Sequence, residues 1–231
     1  MSSHLLASPL FGVTLTLVVY QCATLLHRRF KYTILNPTIV AILTIIAILK
    51  LSGISYHDYS VGGDIVLFLL GPSVVALGVP LYQRRAEIIQ RCIPILVGIT
   101  VGAITSIVTT TAIILLMGGG DQLVFTLAPK SVTTPIAIGL SAKFGGIVPL
   151  TAAIVVITGC IGAVIGPPLC QFLKVDDRAA MGLAMGTASH GIGTGRMLEI
   201  DPLGGAIAGL AIGLNGLITS FLLPLLAAFL A

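Results

Sequence analysis

Two stretches of this 231-residue chain put polar and ionisable side chains where nearly everything around them is apolar. The first is Ala128-Pro129-Lys130-Ser131-Val132-Thr133-Thr134-Pro135. Each proline removes a backbone donor and disfavours helix at the residue before it, so no continuous helix is expected across the stretch. Lys130 supplies a cation, Ser131, Thr133 and Thr134 supply hydroxyls, and a helix restarting after the break offers free N–H groups at its positive end. Together these suit a carboxylate. A lysine at membrane depth is a functional candidate by default. The structural alternative is that Lys130 pairs with an acidic residue or reaches the surface along its own stem.

The second stretch is Met185-Gly186-Thr187-Ala188-Ser189-His190-Gly191-Ile192-Gly193-Thr194-Gly195-Arg196. Its glycines weaken a helix and let other groups approach the backbone. Thr187, Ser189, His190 and Thr194 are polar in an otherwise apolar run. His190, whose unperturbed pKa would be about 6.5, could bind an anion or carry a proton; it could equally be a satisfied structural histidine. The glycine pattern is not a dinucleotide fingerprint, because no strand precedes it. Asn36-Pro37 reads as a helix cap with proline in the first turn, although Asn36 could also face a substrate. Gly71-Pro72-Ser73 marks a further helix break. The expected substrate-binding set is therefore Lys130, Ser131, Thr133, Thr134, Thr187, Ser189, His190, Thr194 and Asn36, with the two polar breaks meeting near the bilayer centre.

The elements that must hold these residues are membrane helices. Hydrophobic residues make up 56% of the chain and charged residues 9%, and the mean hydropathy is +1.11. Soluble domains carry about 25% charged residues. The composition argues against a soluble enzyme, a disordered chain or a nucleic-acid-binding domain. A hydrocarbon core of about 30 Å needs about 20 apolar residues of helix. Runs near that length fall at 5–26, 34–49, 65–82, 92–117, 123–142, 147–173, 179–198 and 203–230, the third, fifth and seventh being interrupted. This predicts an all-α, polytopic integral membrane protein forming one domain over residues 1–231. About eight segments are expected, or seven if the fifth run is re-entrant. An interrupted run followed by a smooth one occurs twice, which points to internal repeats of the transporter type.

Arg28, Arg29 and Lys31 follow the first run, and Arg84, Arg85 and Arg91 follow the third. The positive-inside rule puts both clusters in the cytoplasm and the N-terminus outside. In the second half, Lys143 and Arg196 fall opposite Lys174 and Arg178 if every run crosses, so charge alone does not orient it. Residues 1–10 hold no Lys or Arg, so the first run reads as a retained helix rather than a signal peptide. Cys22, Cys92, Cys160 and Cys170 lie in or beside apolar runs with no CxxC spacing, which predicts neither disulfides nor a metal site. Gly98/Gly102, Gly162/Gly166, Gly205/Gly209 and Gly209/Gly213 read as helix-packing faces. No hydrolase, metalloprotease or P-loop motif is present, so neither an enzyme nor a cofactor is expected.

Several strings taken together, Asn36-Pro37, Gly71-Pro72-Ser73-Val74-Val75-Ala76-Leu77, Pro80-Leu81-Tyr82, the PKSVTTPIA string from Pro129 and the MGTASHGIGT string from Met185, resemble the LrgB/CidB family of bacterial membrane proteins over nearly the whole chain. The resemblance implies a multi-pass protein of the bacterial inner (cytoplasmic) membrane. It implies two functional possibilities. One is an antiholin-like regulator of murein hydrolase activity and autolysis, working with a small LrgA/CidA-type membrane subunit. The other is carriage of small monocarboxylates, since the plastid glycolate/glycerate translocator fuses LrgA-like and LrgB-like parts and some bacterial pairs move pyruvate. The residues favour a secondary carrier of a small carboxylate anion, because a passive pore has no use for interrupted helices lined with lysine, histidine and hydroxyls. Membrane lipid, the small subunit and further copies of the chain are the expected partners.

Overall fold

The computed structural model describes residues 8–30, 36–69, 72, 75, 76 and 78–230. Among them the regular elements are helices: α1 (Pro9–Phe30), α2 (Pro37–Ser52), α3 (Tyr56–Phe68), α4 (Gly78–Gln83), α5 (Arg85–Gln90), α6 (Cys92–Leu116), α7 (Asp121–Leu127), α8 (Thr134–Lys143), α9 (Val148–Phe172), α10 (Arg178–Ile200) and α11 (Pro202–Leu230). The chain divides into two compact units, residues 1–76 and 77–231. Lys31, Gly71, Ser73, Val74 and Leu77, with the starts of the first and second runs at Leu5 and Ile34, lie outside the described residues.

Helices α1, α6, α9 and α11 are long and apolar enough to cross a membrane, by length and composition, and α2 is a shorter apolar helix. Many of their large side chains point outwards. Val97, Val101 and Val108 on α6 and Leu217, Phe221 and Leu225 on α11 are all exposed. Spacings of four and seven residues keep each set on one helix face, and exposed apolar stripes of this extent match lipid rather than water.

In the first unit, α1 meets both α2 and α3. Val19 and Ala23 of α1 pack with Ala41, Ile45 and Leu49 of α2. The crossing of α1 and α3 is closer: Gly12 and Gly62 lie backbone to backbone, where a Cβ on either would collide. Thr16 Oγ1 and Tyr59 OH, 2.9 Å apart, close the contact.

In the second unit, the fifth and seventh apolar runs do not run through as rods; each doubles back. Along a straight helix, Phe125 and Phe144 would be about 28 Å apart, yet their rings stack with centroids at 5.4 Å. The Ile147 N–H donates to Thr126 Oγ1 at 2.8 Å. Helices α7 and α8 therefore form a hairpin with residues 128–133 at its tip. In α10 the backbone leaves helical geometry at one residue, His190, with φ 40° and ψ −133°. Met181 and Met197 would stand about 24 Å apart on a rod; instead they share one buried cluster with Met185 and Ala208. A Cβ at Gly193 would lie 2.7 Å from Met185 O, eight residues back. α10 is thus a second hairpin, with arms 178–189 and 191–200. The eight-segment expectation took both runs as crossing. Polarity and glycine content locate a break but do not tell a kinked rod from a reversal, which is where the expectation and the packing part.

The hairpins enter the helix bundle from opposite ends. Arg91, at the start of α6, pairs with Asp177 at the start of the second hairpin, and a Cβ on Gly102 would touch Thr187 at 3.0 Å. Further along α6, Ile107 and Ile114 pack with Val124, Phe125 and Ala128 of the first hairpin. Helix α11 repeats this order. Gly204 and Ala208 lie against Arg178 and Gly186, whereas Leu223 joins the cluster around Phe125. Helix α9 runs the other way, from Thr151 beside Thr126 to Cys170 beside the methionine cluster. A long helix followed by a hairpin thus occurs twice in opposite orientation, α6 with α7–α8 and α9 with α10. The repeat is phased differently from the pairing of smooth and interrupted runs that the sequence suggested.

Candidate functional site

The two tips meet at mid-height. Pro129 closes the end of α7, and tight turns carry the tip: the Lys130 N–H donates to Leu127 O at 3.1 Å and the Val132 N–H to Pro129 O at 3.3 Å. Pro135 then sits in the first turn of α8, where its missing N–H costs nothing. Lys130 is half-buried. Its ammonium donates to Ser106 Oγ of α6 at 2.9 Å, and Ser106 Oγ lies 2.9 Å from Ser131 Oγ. Among the described residues the ion pairs are Arg84–Glu87, Arg91–Asp177 and Arg196–Glu199, and none involves Lys130. The acidic partner that would make Lys130 purely structural is not among them. An ammonium carries three donors, so two remain for a ligand beyond the bond to Ser106.

Asn215, near the middle of α11 and 1% exposed, ties the two tips together. Its amide Nδ2 donates to Ser131 O at 3.0 Å and to Thr187 O at 3.0 Å. A hairpin tip is where helix carbonyls run out of intrahelical partners, and this side chain satisfies one from each hairpin. Asn215 Oδ1 and Thr187 Oγ1 are themselves buried and meet no partner among the described residues.

The remaining expected residues divide. Thr133 and Thr134 open α8 half-buried, and neither hydroxyl meets a partner among the described residues. Ser189 is set against Gly162 of α9, where a Cβ would collide with it. His190 is turned towards α9: its Nε2 lies 2.9 Å from Val155 O, which as a carbonyl must accept. Gly159 leaves the space for the ring, since a Cβ there would lie 2.7 Å from His190 Cε1. Thr194 Oγ1 donates to His190 O at 2.9 Å. His190 is therefore the residue that makes the turn and is pinned on both sides, while Lys130 is held against α6; the two side chains address different helices. Asn36 lies in the first unit and caps α2, its Oδ1 accepting from the Thr38 N–H at 2.9 Å.

Ser106 and Asn215 are the members that sequence reasoning missed. Ser106 stands among the hydroxyls of Thr105 and Thr109 to Thr111 in an apolar run, and Asn215 is the one amide side chain of α11. For Asn215 the signal was available, since an amide in the middle of a span is expensive unless it has a job.

Opposed helical hairpins packed among long apolar helices define an all-helical, multi-pass membrane protein. The chain belongs to the LrgB-like family, whose model matches residues 16–229. It is 34% identical over 213 residues to uncharacterized protein YxaC of Bacillus subtilis strain 168, covering 92% of this chain and 93% of the relative. It is 33% identical over 217 residues to the holin-like protein CidB of Staphylococcus aureus strain N315, covering 94% and 95%. No solved structure matches the chain.

Proposed function

We propose that this protein is a secondary carrier, or the carrier subunit, for small monocarboxylates such as glycolate, glycerate or pyruvate in the bacterial cytoplasmic membrane. The observation that carries this reading is the Lys130 ammonium at the meeting of two hairpin tips, bonded to Ser106 Oγ and paired with no carboxylate among the described residues. An unpaired cation at that depth is expensive, and a carboxylate offsets it. Irregular backbone is tolerated at membrane depth only inside protein or beside a water-lined path, and the opposed hairpins match the broken helices of repeat-built transporters. In this reading α6, α9 and α11 cross the membrane, the two hairpins are re-entrant from opposite faces, and the chain works as one transport domain. Ser131, Thr133, Thr134 and Thr187 offer hydroxyls to the anion, and Ser189, His190 and Thr194 hold the second tip in shape. A small LrgA/CidA-type subunit and self-association complete the assembly.

A second reading is a holin-like or antiholin-like regulator without its own substrate. The name of the CidB relative favours it. Saturable uptake of labelled glycolate, glycerate or pyruvate into proteoliposomes, with and without the small subunit, separates the two. Uptake that saturates and depends on the chain supports the carrier; none with any of these acids in either preparation leaves the regulator.

A further inference from the structure

The two hairpin tips are seated in different ways. The second is held by close packing. Gly182 and Gly186 lie against the backbone of Gly204 and Ala208 on α11, where a Cβ on either would collide. Ser189 fills the space that Gly162 leaves on α9, and the His190 ring fills that at Gly159, with Nε2 2.9 Å from Val155 O. Close-packed contacts of this kind do not deform gradually, so the second tip moves only with α9 and α11.

The first tip is seated by side-chain hydrogen bonds. Asn215 Nδ2 donates to Ser131 O at 3.0 Å, Ser106 Oγ and Ser131 Oγ lie 2.9 Å apart, and the Lys130 ammonium donates to Ser106 Oγ at 2.9 Å. Its one large apolar side chain, Val132, is 1% exposed and packs with Val155. Both arms of this hairpin are tied to α9 elsewhere: Thr151 Oγ1 lies 3.0 Å from Thr126 O and 2.7 Å from Ser141 Oγ. Among the described residues no hydrogen bond runs directly from one hairpin to the other, and Asn215, which also donates to Thr187 O at 3.0 Å, is the shared link. A hydrogen bond is worth little net where water competes for the same groups. Water reaching the first tip can therefore release it, while its arms stay on α9 and the second tip stays packed.

We propose that the first tip is the gate of the junction towards the Lys143 end, and that Asn215 is the latch that holds it shut against the second tip. What passes the gate rests on the carrier reading above; the opening itself is read without substrate.

The test uses the full chain in membranes, with Cys22, Cys92, Cys160 and Cys170 replaced and a single cysteine introduced as Val132→Cys or Ser189→Cys. An impermeant maleimide is applied to the face from which a cysteine at position 143 reacts. Adding Asn215→Leu should speed labelling at position 132 at least about fivefold and change that at position 189 by less than about twofold. Asn215→Ser, whose single hydroxyl proton serves only one of the two carbonyls, replaces it if the leucine variant does not fold. Separately, Ser106→Cys with Ser131→Cys places two sulfurs where the hydroxyls are 2.9 Å apart, within disulfide reach. Oxidation of that pair in proteoliposomes should cut uptake of labelled glycolate at least about tenfold, and reduction should restore it. Unchanged labelling at position 132 in the Asn215 variant overturns the latch. Equal acceleration at 132 and 189 means that both tips loosen together and overturns the single gate, as does full uptake by the oxidised pair. No uptake by the unaltered chain overturns the carrier reading, and the labelling rates then decide the gate by themselves.

Discussion

Arg91 Nη1 lies 2.7 Å from Asp177 Oδ2, tying the start of α6 to the start of the second hairpin. These two helix beginnings therefore share one end of the second unit. Lys174 follows α9 at that end, and Arg196 returns to it on the second arm of the hairpin, next to Met197 in the methionine cluster. Arg84, Arg85, Arg91, Lys174, Arg178 and Arg196 thus gather at one end, and Lys143 stands at the other. Charge counts that were balanced when every run was taken as crossing become one-sided once both hairpins double back.

The positive-inside rule makes the Arg91 end cytoplasmic. With Cys22, Cys92, Cys160 and Cys170 replaced, single cysteines at positions 85, 174 and 196 should react with an impermeant maleimide only after the membrane is opened. A cysteine at position 143 should react in intact cells. Labelling at 143 that requires opening the membrane would mean that residues 121–143 cross after all.

Asp177 also gives a pH dependence. The Arg91 guanidinium, then the Ala180 N–H, with the Ala179 N–H behind them, hold its carboxyl below the ordinary aspartate range against the opposing effect of desolvation. The folded-state pKa is below the unfolded one, so the stabilisation is fully present above the unfolded value of about 3.9. It is lost as pH falls through the depressed folded value. Both partners are about half exposed, so the contribution is modest. Between pH 6 and pH 3 in detergent, the unaltered protein should lose more Tm than Asp177→Asn, whose amide still caps α10. Equal losses would mean that the pair contributes nothing measurable.

The apolar runs and both polar breaks were legible in the sequence because proline and glycine act locally. What happens at a break is not local. The tip at Lys130 and the reversal at His190 are set by what α6, α9 and α11 offer to pack against: Gly102, Gly159, Gly162 and Ala208. Asn36 carried two readings of equal local sense, and the described contact is the cap. Ser106 and Asn215 joined the site through long-range hydrogen bonds to residues 24 and 84 positions away, which no spacing rule reaches.

The glycines facing the second tip should be far less tolerant than their neighbours. A Cβ at Gly162 collides with Ser189, and one at Gly159 lies 2.7 Å from His190 Cε1 and 2.9 Å from Ile192 Cδ1, whereas Gly213 on α11 has open space. Gly159→Ala and Gly162→Ala should each destabilise by about 1–3 kcal/mol through overpacking. Gly213→Ala should be neutral or stabilising by up to about 1 kcal/mol, since alanine is the better helix former. Thermal unfolding in one detergent reads all three. Equal Tm values across the set would mean that the tip does not seat against α9 as described.

The sharpest expectation concerns Lys130 and Ser106. Removing a charged hydrogen-bonding partner of a bound anion costs about 1.5–3 kcal/mol, or about 10- to 150-fold in affinity. Lys130→Ala should therefore raise the KM for carboxylate uptake at least about tenfold, and abolish transport where the cation also carries the anion through the cycle. Folded protein should remain, because no carboxylate among the described residues loses a partner. Ser106→Ala leaves the charge in place and removes the hydroxyl that positions it, so its effect should be smaller, on KM more than on kcat. Lys130→Arg keeps the charge but exchanges a compact ammonium for a planar fork, and should recover transport only in part. Normal uptake by Lys130→Ala would move the anion site elsewhere. Loss of that variant from the membrane, with Ser106→Ala unaffected in transport, would make Lys130 a packing residue of the first hairpin.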